Sequence, residues 1–175
     1  EMKPSLRNDN TQRLLSLKGR TPAIVYAPTR KKAEQLADEL GEAFPTAAYH
    51  AGMTPDRRDK VQSAFLSGTL DVIVATVAFG MGIDKANVRT VVHLALPASV
   101  ENYYQEIGRS GRDGKPARAF LLHGFIDRRT HEWFFERDYP DIKLLTKLFS
   151  LLSDKPISRD QLQKKAKMDG DTFEK

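Results

Sequence analysis

Cysteine is absent from this chain of 175 residues, which excludes disulfide bridges and zinc sites built on cysteine. The absence is compatible with a reducing compartment. Long apolar runs are also missing, since none approaches the roughly 20 residues that span a bilayer, and the first residues show no signal-like segment. We therefore expect an intracellular protein with no membrane contact. The chain opens at Glu1 like a fragment of a longer protein.

Several signatures of complete catalytic sites are missing as well. The phosphate loop G-x-x-x-x-G-K-[ST] occurs nowhere, so the usual nucleotide cradle and its lysine are lacking. The sequence contains no acidic cluster for a catalytic metal, and it suggests no Ser-His-Asp or Cys-His arrangement. The chain alone is therefore not expected to be a complete phosphohydrolase.

The charge balance is only mildly positive. The 28 Lys and Arg residues exceed the 23 Asp and Glu residues by a net charge of +5. This excess permits an anionic partner without demonstrating one. The length suits one domain that buries about 70% of its unfolded surface, with a short appendage.

Short apolar runs alternate with helical segments over the first two thirds of the chain. Thr29 and the Thr54-Pro55 pair are typical helix starts, with threonine as N-cap and proline at the first helical position. Strands that alternate with helices predict right-handed crossovers and a mostly parallel sheet covered by helices on both faces, an α/β fold. The predicted strands are 23–27, 47–50, 71–76, 90–96 and 118–122.

The last third has a helical character, which predicts a first domain over 1–124 and a short helical extension over 125–175. An aromatic segment containing Trp133 precedes an amphipathic stretch at 142–152, and Pro140 divides the two. Ser158 is a candidate cap for a short basic helix, which an Asp169-Gly170 turn follows. These features fit the opening of a helix-turn-helix, or a polar helical hairpin without a nucleic-acid role.

The stretch 99–114, S-V-E-N-Y-Y-Q-E-I-G-R-S-G-R-D-G, is the densest concentration of candidate functional residues. If it is helical, Gln105, Arg109 and Arg112 project from one face. Two glycines within that helix would cost roughly 1 kcal/mol each relative to alanine, which suggests that a ligand approaches the backbone. Two guanidinium forks favour a phosphate-bearing ligand. Alternatively, Glu106 and Arg109 form an ordinary surface ion pair.

Polar clusters also follow three of the predicted strands. In open parallel sheets, ligands gather at the carboxyl ends of strands, where hydroxyls, amides and helix N-termini suit phosphate oxygens. Two alternatives stay open, because Thr29 is also explained as a helix cap and His50 as a packed loop histidine. The clusters are Pro28 to Arg30, His50 to Pro55, and Thr76 to Asp84.

Four strings in this order resemble the C-terminal motor lobe of RecQ-type superfamily 2 DNA helicases. They are A-I-V-Y-A-P-T-R, Y-H-A-G-M-T, V-I-V-A-T-V-A-F-G-M-G-I-D-K and Y-Y-Q-E-I-G-R-S-G-R-D-G. The resemblance covers about Leu6 to Leu122. DEAD-box RNA helicases carry H-R-x-G-R-x-G-R at the position of the last of these strings.

The resemblance implies a RecA-like three-layer lobe that closes over ATP and Mg²⁺, which a separate preceding lobe mainly holds. Arg112 would be the arginine finger, Arg109 a second phosphate-side arginine, and Gln105 a relay between nucleotide and DNA. Gly82 and Asp84 would contact ATP, Asp84 at the ribose. The residues expected along single-stranded DNA are Thr29, Arg30, His50, Gly52 and Thr76.

The implied partners are single-stranded and duplex DNA and the upstream lobe of the same protein, in the bacterial nucleoid or the nucleus. Many members of the family continue into a four-cysteine zinc module, whereas this chain has no cysteine, so no zinc is expected in this segment. The region after His123 is therefore not covered by the resemblance. Two alternatives stay open: an RNA helicase lobe, and a degenerate RecA-like module that binds nucleic acid without catalysis.

Overall fold

The computed structural model describes residues 3–79, 84–129, 132, 142–152 and 156–168. The chain divides into two compact units, Glu1–Asp127 and Arg128–Lys175. The first unit contains the sheet and all the candidate site residues. Among them, Gly82 lies outside the described residues.

Five parallel strands form the sheet of the first unit, in the order β2-β3-β1-β4-β5. In β1 and its neighbour β4, Tyr26 and His93 are direct partners at the carboxyl ends. The predicted α/β fold with a parallel sheet is thereby confirmed. The strands are β1 Ala23–Tyr26, β2 Thr46–Tyr49, β3 Val72–Ala75, β4 Thr90–His93 and β5 Arg118–Leu121.

Burial of the strands follows their place in the sheet. The residues of β1, β3 and β4 are all buried, as expected for continuously apolar strands in the centre of a parallel sheet. The edge strand β5 is exposed at Arg118 and Ala119. The apolar runs therefore mark the centre of the fold.

Three helices of this unit begin where the sequence supplies a capping side chain. The side-chain oxygens of Thr29, Thr54 and Ser99 each accept a hydrogen bond from a backbone N–H in the first turn. The predicted helix starts at Thr29 and Thr54 are thus confirmed. The helices are α1 Arg7–Leu15, which follows a 3₁₀ turn at Pro4–Leu6, and α2 Arg30–Gly41, α3 Pro55–Ser67 and α4 Val100–Ile107.

Two apolar layers hold the helices against the sheet. On one face, Leu15 of α1 and Leu36 of α2 pack against Val25 and its neighbours. On the other, Phe65 of α3 packs with Phe79 and the opposite sides of the strands, and Ile107 of α4 contacts this cluster. Full burial of one such side chain contributes about 1.5–3 kcal/mol, so these layers supply much of the stability. The arrangement has three layers, as predicted.

The stretch 99–114 is not a single helix. α4 ends at Ile107 with Gly108 as C-cap, so the predicted common helical face of Gln105, Arg109 and Arg112 is wrong. The reason is Gly111, whose φ of +67° is left-handed and whose N–H donates to Val88 O at 3.0 Å. Gly111 therefore keeps the helix from continuing to Arg112. The chain turns at Asp113 and Gly114, where Gly114 N–H donates to Gly111 O at 3.0 Å.

A buried ion pair joins α1 to the end of the first unit. Arg7 Nη1 and Nη2 donate to the carboxylate of Asp127 at 3.1 and 2.8 Å, and Nη1 also donates to Leu94 O at 2.6 Å. Asp127 further accepts from Gly124 N–H at 2.8 Å. Removing one partner of such a pair costs about 3–5 kcal/mol, because it leaves a buried charge without compensation.

The second unit is described over two helices, Ile142–Leu151 and Arg159–Ala166. Ser158 caps the latter in a capping box with Gln161, which confirms the predicted cap. Trp133, Pro140 and the Asp169-Gly170 turn lie outside the described residues. Among the helices that the structure describes, none is long and apolar enough to cross a membrane.

Candidate functional site

The candidate residues that follow β1 and β2 meet at the carboxyl edge of the sheet. A Cβ atom added to Gly52 would lie 3.2 Å from Arg30 Nη1 and 3.3 Å from His50 Nδ1. Arg30 and His50 therefore both approach the bare backbone at position 52. A side chain there would displace the guanidinium, so glycine keeps this arrangement open.

His50 is a packed histidine in this structure, with 5% of its surface exposed. Its Nε2 lies 3.0 Å from Glu34 Oε1, and its backbone N–H donates to Met53 Sδ at 3.3 Å. Its buried Nδ1 has no hydrogen-bond partner within the described residues. The histidine is thus held from α2 and from its own loop, beneath the surface that Arg30 and Gly52 present.

Thr29 and Thr76 complete this edge. Thr29 Oγ1 accepts from Lys32 N–H at 3.1 Å, so its hydroxyl already acts as the cap of α2. Thr76 is half-buried, and its N–H donates to Tyr49 O at 3.1 Å, which fixes the end of β3 beside the end of β2. Arg30, at the first position of α2, is the exposed cation of the group.

Asp84 and Arg112 pair with each other although 28 residues separate them. Arg112 Nη1 donates to Asp84 Oδ1 at 3.0 Å, and Arg112 Nε donates to Gly108 O at 3.1 Å. The Arg112 side chain is 40% exposed and the Asp84 side chain is 84% exposed. An exposed pair of this kind contributes only about 0–1 kcal/mol, so a competing anion can displace the carboxylate.

Backbone hydrogen bonds bring these two residues together. Gly111 N–H donates to Val88 O, and Asp113 N–H donates to Ala86 O at 3.2 Å. The segments 86–88 and 111–113 therefore run side by side. Arg89 secures the turn, because it pairs with the Asp113 carboxylate and donates to Lys115 O. This contact is the main cause that lowers the pKa of Asp113.

Arg109 lies half-buried, close enough to Tyr26 for its charge to oppose the rise in the pKa of the Tyr26 hydroxyl. The Tyr26 hydroxyl itself donates to Phe79 O at 3.2 Å. Burial raises the pKa of Tyr26 to about 12, with Arg109 opposing and Glu106 adding to the shift. The tyrosine is therefore neutral at physiological pH. Gln105, on α4, is exposed.

Glu106 pairs with His93 and not in a surface ion pair with Arg109. His93 Nε2 lies 2.7 Å from Glu106 Oε2, and the residues are 2% and 8% exposed. The alternative of an exposed Glu106–Arg109 pair is therefore wrong. Sequence reasoning missed this buried pair; the available signal was a histidine at the end of an otherwise apolar strand.

Lys85 is a second buried polar residue that the sequence reasoning did not single out. Its Nζ donates to Leu66 O at 3.3 Å and lies 5.2 Å from the centre of the Phe65 ring. Burial lowers its pKa, and Asp71 opposes that shift. Lys85 thereby holds the chain next to Asp84 against α3.

The donor set of this site suits anions and not metal ions. Two arginines, one half-buried and one exposed, can both meet phosphate oxygens. Over the part of the chain that the structure describes, no group of three or more His, Cys, Asp or Glu residues could hold a metal ion. The described residues thus fit the phosphates of ATP but supply no set of ligands for Mg²⁺.

Comparison with known proteins gives consistent relatives. Residues 7–114 match the family model described as the helicase conserved C-terminal domain. The chain is 49% identical over 111 residues to the ATP-dependent DNA helicase RecQ of Pasteurella multocida, and 48% identical over 114 residues to that of Haemophilus influenzae. These matches cover 63% and 65% of the chain but only 17% and 18% of the relatives, so the chain spans about a sixth of their length.

Solved structures with the same fold include two DEAD-box proteins. Escherichia coli SrmB, bound to a regulator of ribonuclease activity, matches with a TM-score of 0.64 and 26% identity over 70% of this chain and 73% of that one. A DEAD-box protein of Methanococcus jannaschii matches with a TM-score of 0.66 and 27% identity, over 79% of this chain and 38% of that one. The predicted RecA-like fold is thereby confirmed.

The family model covers more than half of the chain, and it includes both arginines, Asp84 and the edge formed by β1 to β3. The RecQ relatives match over the same region at nearly half identity. The chain therefore belongs to the helicase conserved C-terminal domain family, as the C-terminal lobe of a RecQ-type helicase.

Proposed function

We propose that this chain is the second motor lobe of an ATP-dependent DNA helicase, which supplies an arginine finger and contacts to the backbone of single-stranded DNA. The observation that carries the proposal is the exposed Asp84–Arg112 pair, held at 3.0 Å, with the half-buried Arg109 three residues before Arg112 in the chain. A weak, exposed pair is a suitable resting state for an arginine that must exchange its partner.

ATP is the proposed anion that replaces the carboxylate. When the upstream lobe closes, the γ-phosphate reaches Arg112, and the planar fork stabilises the transferring phosphoryl group more than it stabilises bound ATP. An arginine finger contributes about 10³ to 10⁵ in rate. Opening and closing of the cleft then controls hydrolysis.

The neighbouring residues have distinct roles in this proposal. Arg109 binds a second phosphate oxygen, and Asp84, once released from Arg112, accepts a hydrogen bond from the ribose. Gly82 belongs to the same nucleotide-binding segment. Gln105, exposed on α4, relays the presence of DNA to the nucleotide. The upstream lobe mainly holds Mg²⁺.

Single-stranded DNA lies along the carboxyl ends of β1, β2 and β3 in this proposal. Arg30 is the exposed cation there, and the backbone at Gly52 is open to a phosphate. Thr29 and Thr76 position the adjacent loops through the hydrogen bonds described above. His50 is buried, so it supports this contact surface from below through its bond to Glu34.

The proposal is tested in the chain joined to its upstream lobe. We expect ATP hydrolysis that single-stranded DNA stimulates more than RNA of the same sequence, whereas the 175-residue chain alone should show none. Arg112→Ala should lower turnover by at least about 10³-fold with ATP affinity changed only several-fold. Arg112→Lys should fail nearly as badly, because a point charge does not reproduce the fork.

The matched control is Arg128→Ala, which removes an exposed ion pair with Glu132 at 2.8 Å in the second unit, a unit that contains none of the proposed site residues. It should leave turnover unchanged. Melting temperatures of all variants separate catalysis from folding. An Arg112→Ala protein that is destabilised but has near-normal turnover per folded molecule would contradict the finger assignment, and stimulation by RNA alone would favour an RNA helicase lobe.

A further inference from the structure

We infer that His93 is a positioning residue, which binds the carboxylate of Glu106 and so keeps it from neutralising Arg109. This inference rests on the proposed function, in which Arg109 binds a phosphate of ATP. It adds two residues, His93 and Glu106, to which no role has been given above.

The pair is buried and comes from two different elements. His93 is the last residue of β4, and Glu106 lies in the last turn of α4. Their side chains meet at 2.7 Å with 2% and 10% of the side-chain surface exposed. A carboxylate this deeply buried requires a partner, because the cost of leaving it unpaired is several kcal/mol.

The histidine ring is fixed in place from two sides. It stacks on Tyr26, its partner across the sheet, with ring centres 5.1 Å apart and planes 18° from parallel. On another side the Tyr103 ring lies 5.2 Å away. The direction of Nε2 toward Glu106 is therefore set by packing against both tyrosines.

Arg109 is the cation that would compete for Glu106. It follows three residues later, and its backbone N–H donates to Glu106 O at 3.3 Å. Both side chains also act on Tyr26, since Arg109 lowers its pKa and Glu106 raises it. The two charges therefore lie close to the same hydroxyl.

The consequence for phosphate binding is direct. Arg109 Nε is buried and has no hydrogen-bond partner within the described residues, so this guanidinium is incompletely paired. If Glu106 turned from His93 to Arg109, the pair would be neutral and would bind phosphate poorly. His93 thus preserves the charge of Arg109 for its ligand.

The test uses the chain joined to its upstream lobe and compares three variants of this pair. His93→Phe keeps the stacked ring but removes the bond to Glu106, and His93→Gln keeps a donor but removes the ring. The double variant His93→Phe with Glu106→Gln also removes the carboxylate. Tyr103→Phe is the matched control, because it keeps the ring beside His93 and removes only the Tyr103 hydroxyl.

We expect His93→Phe to lower kcat/KM for ATP by about tenfold or more, mainly through a higher KM because the neutralised Arg109 binds phosphate poorly, and His93→Gln to stay within about threefold of wild type. The double variant should recover to within about threefold of wild type, since removal of the carboxylate makes its sequestration unnecessary. Melting temperatures show whether each variant is folded. Tyr103→Phe should behave as wild type.

Two outcomes would overturn the inference. A His93→Phe protein as active as wild type would show that the bond is not needed, and a double variant no better than His93→Phe would show that the histidine does not act by sequestering the Glu106 carboxylate. If Arg112→Ala in the same protein is fully active, the proposed function itself fails. If Arg112→Ala is inactive and His93→Phe is normal, only this inference fails.

Discussion

Arg109 and Arg112 are three residues apart, yet their surroundings differ. Arg112 is 40% exposed and pairs with a carboxylate that is 84% exposed, so its contacts are easily exchanged. Arg109 is half-buried against a neutral tyrosine. Loss of the Arg112 side chain should therefore cost little stability, which is why its effect on turnover can be measured without interference from unfolding.

Tyr26 gives a prediction at high pH. Its pKa is about 12 in the folded protein against 10.0 for an unperturbed tyrosine, so above pH 10 the unfolded state loses this proton first. The free energy of unfolding should then fall as pH rises from 10 toward 12, by up to roughly 2 kcal/mol, and be unaffected by this residue below pH 10. Urea unfolding at several pH values measures this change in the free energy of unfolding.

In Tyr26→Phe this part of the alkaline loss should disappear. Comparison of the two proteins at each pH cancels the opposite contribution of Lys85, whose lowered pKa favours the folded state as pH rises toward 10.5. Tyr104→Phe is the control, because Tyr104 is 69% exposed. Parallel alkaline curves for wild type and Tyr26→Phe would contradict the prediction.

At the scale of elements, the end of α4 decides where both arginines lie. The helix stops at Ile107, and the chain then pairs with the segment that leads into β4. Arg112 therefore reaches Asp84. A longer helix would not by itself have brought these two side chains together. Gly111 enforces this change of direction by its left-handed backbone.

Gly111→Ala should destabilise the protein by about 1–3 kcal/mol, because alanine is strained at positive φ and its Cβ would lie 3.0 Å from Lys115 O and 3.2 Å from Ala117 Cβ. Gly114→Ala is the matched control. Gly114 has a φ of +75° with open space around it, so only the backbone strain of about 1 kcal/mol applies there. Equal losses at the two glycines, measured by urea unfolding, would show that the close approach has no energetic effect.

At the scale of the whole molecule, a parallel sheet gathers the candidate residues from distant parts of the sequence. The neighbours of β1 are β3 and β4, so loops that are far apart along the chain meet at one edge. The mild excess of positive charge, +5 for the chain, is then less informative than where individual cations lie. Arg30 is placed at that edge and Arg118 begins the edge strand β5.

We expect the 175-residue chain to bind single-stranded DNA weakly and with a strong dependence on salt, because contacts to phosphates dominate. Arg30→Ala should weaken binding and reduce the slope of log K against log salt by about 0.7, the value for one phosphate contact on a single strand. Arg118→Ala, at the amino end of β5, should change neither. Fluorescence anisotropy between about 50 and 200 mM salt measures both quantities, and affinity independent of salt would contradict the proposed contacts.

The sequence by itself determined the strands, the capped starts of α2 and α3, and the family, because apolar runs, capping residues and motif strings are local features. It did not determine the end of α4 or the partners of the charged residues. Those depend on which strands are neighbours: β4 lies beside β1, which sets His93 against Tyr26 and within reach of Glu106. Which charged groups pair depends on the distances between them in the folded molecule, and only the tertiary structure fixes those distances.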